Sequence, residues 1–449
     1  MKNEKKTLLS NDFQNNQFIH ARKGDMGEIR LHLRREGDYG ILIINASKIL
    51  HLNPTATFFV ERILQGKSDD LIVKELKNNY RVTKRRAYSD LQSFKTMIHT
   101  VSTTNDSCPF SAIESHDFSL PELSLSAPLR MDLALTYRCN NNCGHCYNQI
   151  NSPNASEMNI DAWKSILSRI WDLSIPHVTF TGGEPTLRSD LPELIEYAEN
   201  LGLVTGLITN GRNLKDSSYV EKLVSGGLDH VQITLETVEA TIHNEMVGKK
   251  GAWEETVEGI KNAIDNQVYT LTNTTITKLN AQTMDKTIDF LHSLGVEQFA
   301  CNSLICSGKG KKSSQGLKER ELIPILQNIK AKAEKNSMRF IWYTPTRYCE
   351  LNPVELGLGP KRCSASNIAM AIEPNGVVIP CQSYYNGLGH ILNDSWDSIW
   401  NHSLSKNIRE HNSMPKECKE CVQLDICGGG CPLSFQREDY ICPESKANE

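Results

Sequence analysis

The amino-acid sequence predicts an α/β protein built around an open, partial (β/α)6 barrel. Strands alternate with helices from residue 131 to residue 310, and this alternation is typical of parallel β/α units. Short strands followed by three helices over residues 25–100 predict a winged-helix-like α+β domain before the barrel. From residue 341 onward the chain is loop-rich and holds eight of its 14 cysteines, so we expect metal to stabilise this third region.

Length and composition set the limits of this fold. A chain of 449 residues with 39% hydrophobic and 7% aromatic residues has room for two or three domains with real cores. No apolar run approaches the roughly 18 residues of a membrane span, and residues 1–17 lack the apolar stretch of a signal peptide. We therefore expect a cytoplasmic protein with no membrane partner.

The predicted N-terminal domain spans residues 25–103 and follows a polar tail over residues 1–24 that we expect to be disordered. The β-branched runs Tyr39–Asn45 and Lys48–Leu52 each predict a strand. The pair Asn53-Pro54 predicts a helix start, because asparagine caps helices and proline favours the first helical position. Further amphipathic helices are expected near residues 68–80 and 83–99, and a Ser/Thr-rich linker over residues 104–128.

Six β/α units are predicted between residues 129 and 312, which is too few for a closed barrel of eight strands. Active sites of such folds lie at the carboxyl ends of the strands. A Lys-rich helical bridge over residues 313–348 and a cysteine-rich domain over residues 349–449 follow. The barrel strands are predicted at residues 133–137, 177–181, 204–209, 230–235, 270–276 and 298–303. The helices are predicted at residues 161–171, 191–201, 220–225, 253–266 and 284–294.

The first cysteine motif follows the first barrel strand, with Cys139, Cys143 and Cys146 in the spacing C-x3-C-x2-C. Three thiolates on one short loop can hold three corners of a 4Fe–4S cluster and leave one iron open for a substrate. A zinc site is the alternative, although structural zinc prefers four protein ligands.

A second motif, Thr181-Gly182-Gly183-Glu184-Pro185, follows the next strand, and its glycines allow close approach of the backbone to a ligand. The two motifs in this order resemble the radical S-adenosylmethionine (SAM) family over roughly residues 131–310. The resemblance implies that Cys139, Cys143 and Cys146 ligate the cluster that binds and cleaves SAM. The residues that it implies for SAM binding are Gly182, Gly183, Glu184, Pro185, Thr209 and Thr234.

One position departs from the radical SAM pattern. Relatives often carry an arginine just before the position of Gly248, where this chain has Met246-Val247. A contact from that arginine to SAM is therefore not expected in this chain.

Seven later cysteines resemble the SPASM extension of radical SAM enzymes, which usually holds two auxiliary 4Fe–4S clusters. The resemblance implies one cluster on Cys363, Cys381 and Cys431. Cys349 lies where some relatives keep an eighth cysteine. Either Cys349 completes this cluster, or the cluster keeps an open iron that could bind substrate. One or two zinc sites are the alternative, since C-x2-C pairs are common in zinc ribbons. The ligands implied for the other cluster are Cys418, Cys421, Cys427 and Cys442.

The string Lys48–Ala56 resembles precursor-peptide recognition domains such as the small chaperone of pyrroloquinoline quinone biosynthesis. Such domains bind a leader peptide as an added strand on a sheet edge. Residues 1–100 carry a net charge of +7 and the remainder −11, which suits an acidic leader, although a solvated basic helix explains the charge equally well. The basic string Arg81–Arg86 leaves DNA binding as an alternative, but we expect no nucleic-acid partner.

Together these resemblances imply an enzyme that abstracts hydrogen from a ribosomally synthesised precursor peptide, giving a cross-link, a thioether or a similar modification. Its leader would bind residues 25–103, and a flavodoxin or ferredoxin would supply electrons. The alternatives are action on a folded protein, as in sulfatase maturases, on a small molecule in haem or cofactor biosynthesis, and a DNA-binding iron–sulfur sensor. The sequence singles out no catalytic acid or base.

Overall fold

The computed structural model divides the chain into two compact units. The first comprises residues 1–127 with 170–176, and the second comprises residues 128–169 with 177–449. Within the part of the chain that the structure describes, no helix is long and apolar enough to cross a membrane. The described residues are 17–24, 27–44, 48–103, 125–148, 156–412, 414 and 416–436.

A four-stranded antiparallel sheet with its strands in chain order opens the first unit. One strand corrects the expectation of a disordered tail over residues 1–24, because Gln17–Gly24 pairs with its neighbour at eight positions. Backbone hydrogen bonds to that neighbour stabilise the strand, so no apolar pattern in its own sequence is required. Residues 1–16 of the predicted tail lie outside the described residues. The strands are β1 (Gln17–Gly24), β2 (Gly27–Glu36), β3 (Tyr39–Ile44) and β4 (Lys48–Leu52).

Three helices complete this unit: α1 (Pro54–Leu64), α2 (Asp69–Asn79) and α3 (Lys84–Thr103). Asn53 caps α1 as predicted, since its side chain accepts a hydrogen bond from the backbone N–H of Ala56 at 2.9 Å. The α+β class predicted for this domain is confirmed. Most of the predicted linker, residues 104–124, lies outside the described residues. The core between the sheet and the helices contains Leu31, Leu33, Leu42, Ile44, Leu50, Leu52, Val60, Leu64 and Val101.

The second unit contains the predicted partial barrel. Six neighbouring parallel strands follow each other in chain order, and their sheet continues at both edges instead of closing. The open α/β barrel predicted from the sequence is therefore confirmed. The six strands are β5 (Arg130–Thr136), β6 (His177–Gly182), β7 (Val204–Thr209), β8 (His230–Thr234), β9 (Tyr269–Ile276) and β10 (Gln298–Ser303).

The helices of this unit follow the barrel strands. The short helix α7 was not predicted, and it lies between β8 and the helix that precedes β9. Amphipathic spacing explains the others: in α4, for example, Trp163, Ile166, Leu167 and Ile170 are all fully buried. The helices are α4 (Ile160–Asp172), α5 (Leu191–Leu201), α6 (Ser217–Ser225), α7 (Ala240–Met246), α8 (Ala252–Asp265), α9 (Met284–Ser293) and α10 (Glu319–Lys335).

Two additions from the C-terminal region extend the barrel sheet. At one edge β11 (Arg339–Trp342) runs parallel to β10, and at the other β12 (Ala369–Ile372) runs parallel to β5. All four residues of β12 are buried. Because β12 pairs with β5, it joins the cysteine-rich region to the strand that leads into the first cysteine motif. The remaining elements are β13 (Val377–Ile379), β14 (Gly389–His390), α11 (Trp396–Trp400), α12 (Ser403–Arg409), α13 (Lys416–Lys419) and α14 (Leu424–Cys427).

Candidate active site

The cysteine loop, residues 137–148, follows β5 and contains no helix or strand, so tertiary hydrogen bonds determine its shape. The backbone N–H groups of Asn142 and Gly144 donate to the carbonyl oxygens of Val247 and Met246 at 2.9 and 3.1 Å. Met246 and Val247 are the two residues just before Gly248, where the radical SAM pattern often has an arginine. In this chain, the end of α7 therefore supports the loop through its backbone.

Arg212 is a second support of the cysteine loop that the sequence did not single out. It lies in the turn after β7 and is largely buried. One guanidinium nitrogen donates to the carbonyl oxygen of Asn140 at 2.6 Å and to the side chain of Asn141 at 3.0 Å. Its Nε pairs with Glu255 at 2.6 Å. The only sequence signal was its position directly after a strand that ends at the same sheet edge.

The three thiols of the loop lie within electrostatic range of one another. Burial raises the pKa of the Cys139 thiol to about 11, and Glu184 and Cys146 add to the effect. Burial also raises the pKa of Cys143 and of Cys146. Buried thiols of this kind become thiolates only when a cation compensates their charge. The donor set therefore fits a cationic iron–sulfur cluster.

The Gly-Gly turn after β6 packs directly against the end of β5. The N–H of Gly183 donates to Thr136 O at 2.7 Å, and the N–H of Glu184 donates to Arg138 O at 2.9 Å. A Cβ at Gly182, whose φ is +139°, would overlap the carbonyl oxygen of Thr136. The glycines are thus required for the approach of two backbone segments, which places the turn beside the cysteine loop.

The carboxylate of Glu184 joins this turn to the end of β7. It is completely buried and accepts four hydrogen bonds. Thr186 donates to Oε1 through its N–H at 3.1 Å and its hydroxyl at 2.6 Å. The hydroxyl of Thr209 donates to Oε1 at 2.7 Å, and the N–H of Asn210 donates to Oε2 at 2.8 Å. Thr209 thus contacts the second motif directly, whereas Thr234 lies partly exposed at the end of β8.

A buried acid–imidazole pair lies on the other side of the cysteine loop. Glu236 follows β8 and is completely buried, and its Oε1 lies 2.9 Å from Nε2 of His145. Burial alone would lower the pKa of His145, but the Glu236 carboxylate outweighs it and the pKa is raised. Nδ1 of His243 accepts the N–H of Glu236 at 3.2 Å. The pKa of His243 is lowered to about 4 by burial.

The first auxiliary set predicted from the sequence, Cys363, Cys381 and Cys431, comes together in the second unit. Burial raises the pKa of Cys381 and of Cys431, and electrostatic repulsion from Cys363 raises both pKa values further. The N–H of Ser366 donates to Pro380 O at 3.0 Å, which ties the first two cysteine segments together. Cys306, which belongs to none of the predicted ligand sets, also contributes electrostatically to the raised pKa of Cys431. Sequence reasoning had no signal for this proximity.

The second auxiliary set is described for three of its four members. Burial raises the pKa of Cys427, and Cys421 contributes to the shift. The N–H of Tyr348 donates to the Cys427 sulfur at 3.4 Å, so the segment that carries Cys349 lies beside this second set. Cys442 lies outside the described residues, as does the linker cysteine Cys108. Within the described ranges, no group of three His, Cys, Asp or Glu side chains is arranged to hold a single metal ion.

Hydrogen bonds from tyrosines join the cysteine loop to the first auxiliary set. Tyr147 follows Cys146, and its hydroxyl donates at 2.7 Å to Gln382, which follows Cys381. The two predicted cluster sites are therefore linked through a short path of bonded atoms. Two more bonds join the same segments, from Tyr137 to Glu373 at 3.2 Å and from Tyr385 to Asn148 at 2.9 Å.

Comparison with known protein families finds three domains in this chain. The radical SAM superfamily matches residues 133–292. The SPASM iron–sulfur cluster-binding domain matches residues 363–422. Coenzyme PQQ synthesis protein D (PqqD) matches residues 31–100. The three families predicted from the motifs are thus found in the predicted order.

Individual proteins are similar to this chain in sequence or in fold. PqqA peptide cyclase of Rhizobium meliloti (strain 1021) is 27% identical over 315 residues, which are 68% of this chain and 82% of that protein. The structure of SuiB from Streptococcus suis bound to S-adenosylmethionine superposes with a TM-score of 0.68 at 18% identity, over 94% of this chain and 96% of SuiB. SuiB bound to the precursor peptide SuiA gives a TM-score of 0.69 at the same identity and coverage. The likeness to SuiB shows a shared fold.

Proposed function

We propose that this chain, a radical SAM and SPASM protein with an N-terminal PqqD domain, modifies a ribosomally made precursor peptide. The observation that carries the proposal is the presence of a PqqD domain and a radical SAM domain in one chain. The similarity to PqqA peptide cyclase and to SuiB, whose structure holds a precursor peptide, supports it. A SPASM domain implies that auxiliary clusters take part.

The cysteine loop is proposed to hold the SAM-binding cluster through Cys139, Cys143 and Cys146. When bound, this cluster supplies the electron that cleaves SAM to methionine and a 5′-deoxyadenosyl radical, which removes hydrogen from the peptide. The supports described above fix the loop before any ligand arrives, so little reorganisation is needed on binding.

The residues proposed to bind SAM lie at the ends of β6, β7 and β8. The Glu184 carboxylate accepts four hydrogen bonds from groups of the protein. We therefore propose that it stabilises the turn that carries Gly182 and Gly183. Thr209 acts in the same way, through its bond to Glu184. Pro185 stiffens the turn, and Thr234 is proposed to contact SAM directly.

The auxiliary clusters are proposed to use the cysteines of the C-terminal region. Cys363, Cys381 and Cys431 hold the first. The second takes Cys418, Cys421, Cys427 and Cys442. Cys349 is a candidate ligand of either cluster. It follows Tyr348, whose N–H donates to the Cys427 sulfur at 3.4 Å and whose hydroxyl accepts the N–H of Lys361, close to Cys363 in the chain, at 2.9 Å.

The first unit is proposed to bind the leader of the peptide. Its sheet has two edge strands, β1 and β4, and an extended peptide can add to a sheet edge through main-chain hydrogen bonds. We assign this role to residues 25–103 together with β1, which the sequence-based boundary omitted. A flavodoxin or ferredoxin is the proposed reductant.

The test uses the full-length protein, reconstituted with iron and sulfide without oxygen. Short peptides encoded beside its gene are incubated with it, SAM and dithionite, and 5′-deoxyadenosine and peptide mass are followed by mass spectrometry. We expect a mass change in one peptide, and its loss when the leader is removed from that peptide. A leader-independent reaction would favour a folded-protein substrate, and 5′-deoxyadenosine formed only with a metabolite would favour a small-molecule enzyme.

A further inference from the structure

Glu236 occupies an unusually constrained position at the end of β8. Its side chain has no solvent exposure, and each carboxylate oxygen has a partner. Oε1 lies 2.9 Å from Nε2 of His145, and Oε2 accepts the N–H of Thr275 at 2.9 Å. Its backbone is fixed as well, because the Asn280 side chain donates to its carbonyl oxygen at 2.8 Å. The carboxylate is therefore held rigidly by β9 and by the turn that follows it.

The partner of this carboxylate lies inside the cysteine loop. His145 stands between Cys143 and Cys146, and only 12% of its side chain is exposed. The contacts from Arg212, Met246 and Val247 support residues 140–144, which is the first half of the loop. In the second half, the N–H of Gly310 donates to the carbonyl oxygen of Cys146 at 3.2 Å, and the Glu236 carboxylate forms a charged side-chain contact with His145.

A buried carboxylate is costly unless it is paired, so its position requires a reason. The N–H of Thr275 provides a neutral hydrogen bond, and the imidazole of His145 in the cysteine loop provides an ion-pair contact at 2.9 Å. If either member of the pair is removed, the other stays buried without its partner. The pair therefore acts as a unit, and disruption of either side has the same structural result.

We propose that Glu236 is a positioning residue that acts through His145 to hold the Cys143–Cys146 segment in the shape that the SAM-binding cluster requires. This inference rests on the proposed function, because it assumes that Cys143 and Cys146 are ligands. Glu236 itself contacts neither cluster nor SAM in this role. Its effect passes through the 2.9 Å ion-pair contact with His145.

The test compares iron retention in the reconstituted full-length protein. Release of iron to a ferrous chelator is followed by absorbance, and the SAM-binding cluster is identified as the electron paramagnetic resonance signal that changes when SAM is added. In Glu236→Ala we expect that signal to decay at least about tenfold faster than in the wild type, because the histidine is left unpaired. The auxiliary signals should decay at the wild-type rate.

The matched control is Glu239→Ala, a nearby acid that is 44% exposed and pairs with Lys286 at 3.6 Å. It should release iron at the wild-type rate. His145→Ala should reproduce the Glu236→Ala effect, and the double variant should be no worse than His145→Ala alone. Decay at the wild-type rate in Glu236→Ala, or additive effects in the double variant, would overturn the proposal.

Two further outcomes are separated by the design. If Glu236→Ala loses all clusters together, the substitution has damaged the fold. The test then uses Glu236→Gln, which keeps the side-chain volume and an acceptor oxygen for the imidazole. We expect Glu236→Gln to release the SAM-responsive cluster severalfold faster than wild type, and equal rates would refute the inference. If the wild type has no SAM-responsive signal, the proposed function fails, and the inference fails with it.

Discussion

The carboxylate of Glu184 offers the sharpest perturbation of the SAM site. Glu184→Gln keeps the size of the side chain but replaces one acceptor oxygen with an amide nitrogen. The four protein donors around the carboxylate cannot all be satisfied by an amide, which has a single acceptor oxygen. The hydroxyls of Thr186 and Thr209 can rotate, but the N–H of Asn210 faces Oε2 directly at 2.8 Å. The substitution therefore sets an N–H group against another N–H group.

The magnitude follows from the loss of one charge-assisted hydrogen bond in a fully buried site. Such a bond contributes about 1.5–3 kcal/mol, and an unsatisfied buried donor costs about 1–3 kcal/mol. We expect about 3 kcal/mol of local destabilisation of the turn. If SAM binding has to restore the turn, the dissociation constant for SAM rises by up to about 100-fold, since each 1.4 kcal/mol is tenfold.

The assay is equilibrium binding of labelled SAM to the reconstituted full-length protein, with iron content measured in each sample. Glu193→Gln is the matched control, because Glu193 lies in the neighbouring helix α5 and its side chain is 58% exposed. The control should bind SAM as the wild type does. If Glu184→Gln with full iron content binds SAM within about twofold of wild type, our account of the turn is wrong.

Three further predictions concern the cysteine regions. Arg212→Met should lower the amount of iron retained after reconstitution, because it removes two hydrogen bonds to the cysteine loop. The control Lys215→Met loses only an exposed ion pair with Glu255, which also pairs with Arg212, and should retain iron as the wild type does. Tyr147→Phe should destabilise the second unit by about 1 kcal/mol in thermal unfolding of the reconstituted protein, and an unchanged midpoint would show that its bond to the auxiliary segment contributes nothing. The wild type should bind about 12 iron atoms, and Cys421→Ala about 8, by colorimetric iron analysis. A wild-type value near 4 would mean that the C-terminal cysteines hold no auxiliary clusters.

Local patterns explain why so much of the fold could be predicted. The cap at Asn53, the alternation of strands and helices and the amphipathic face of α4 are all encoded within a few residues of one another. The same holds for the C-x3-C-x2-C motif, whose three cysteines lie close together in the chain. The assignment of these cysteines as cluster ligands stays a prediction, although their thiols come together as it requires.

Contacts between distant segments explain what the sequence did not reveal. The edge strand β1 is stabilised by its hydrogen bonds to β2, so its own polar composition predicted a disordered tail. The strand β12 pairs with β5 across more than two hundred residues of chain, and this pairing, together with the tyrosine hydrogen bonds, brings the first auxiliary set beside the cysteine loop. Cys306 gave no signal for the same reason, since its neighbour Cys431 is far away in the sequence.

The sequence by itself determined the families, the domain order and the type of cofactor, because cysteine spacing and glycine turns are short-range features of the chain. Only the tertiary structure decided which polar groups hold those motifs in place. Arg212 and Glu236 looked like any other charged residue near a strand end, and the motif around Glu184 predicted a contact with SAM, not its four hydrogen bonds within the protein. Burial and the partners brought by other strands distinguish them, and both depend on the packing of the whole barrel.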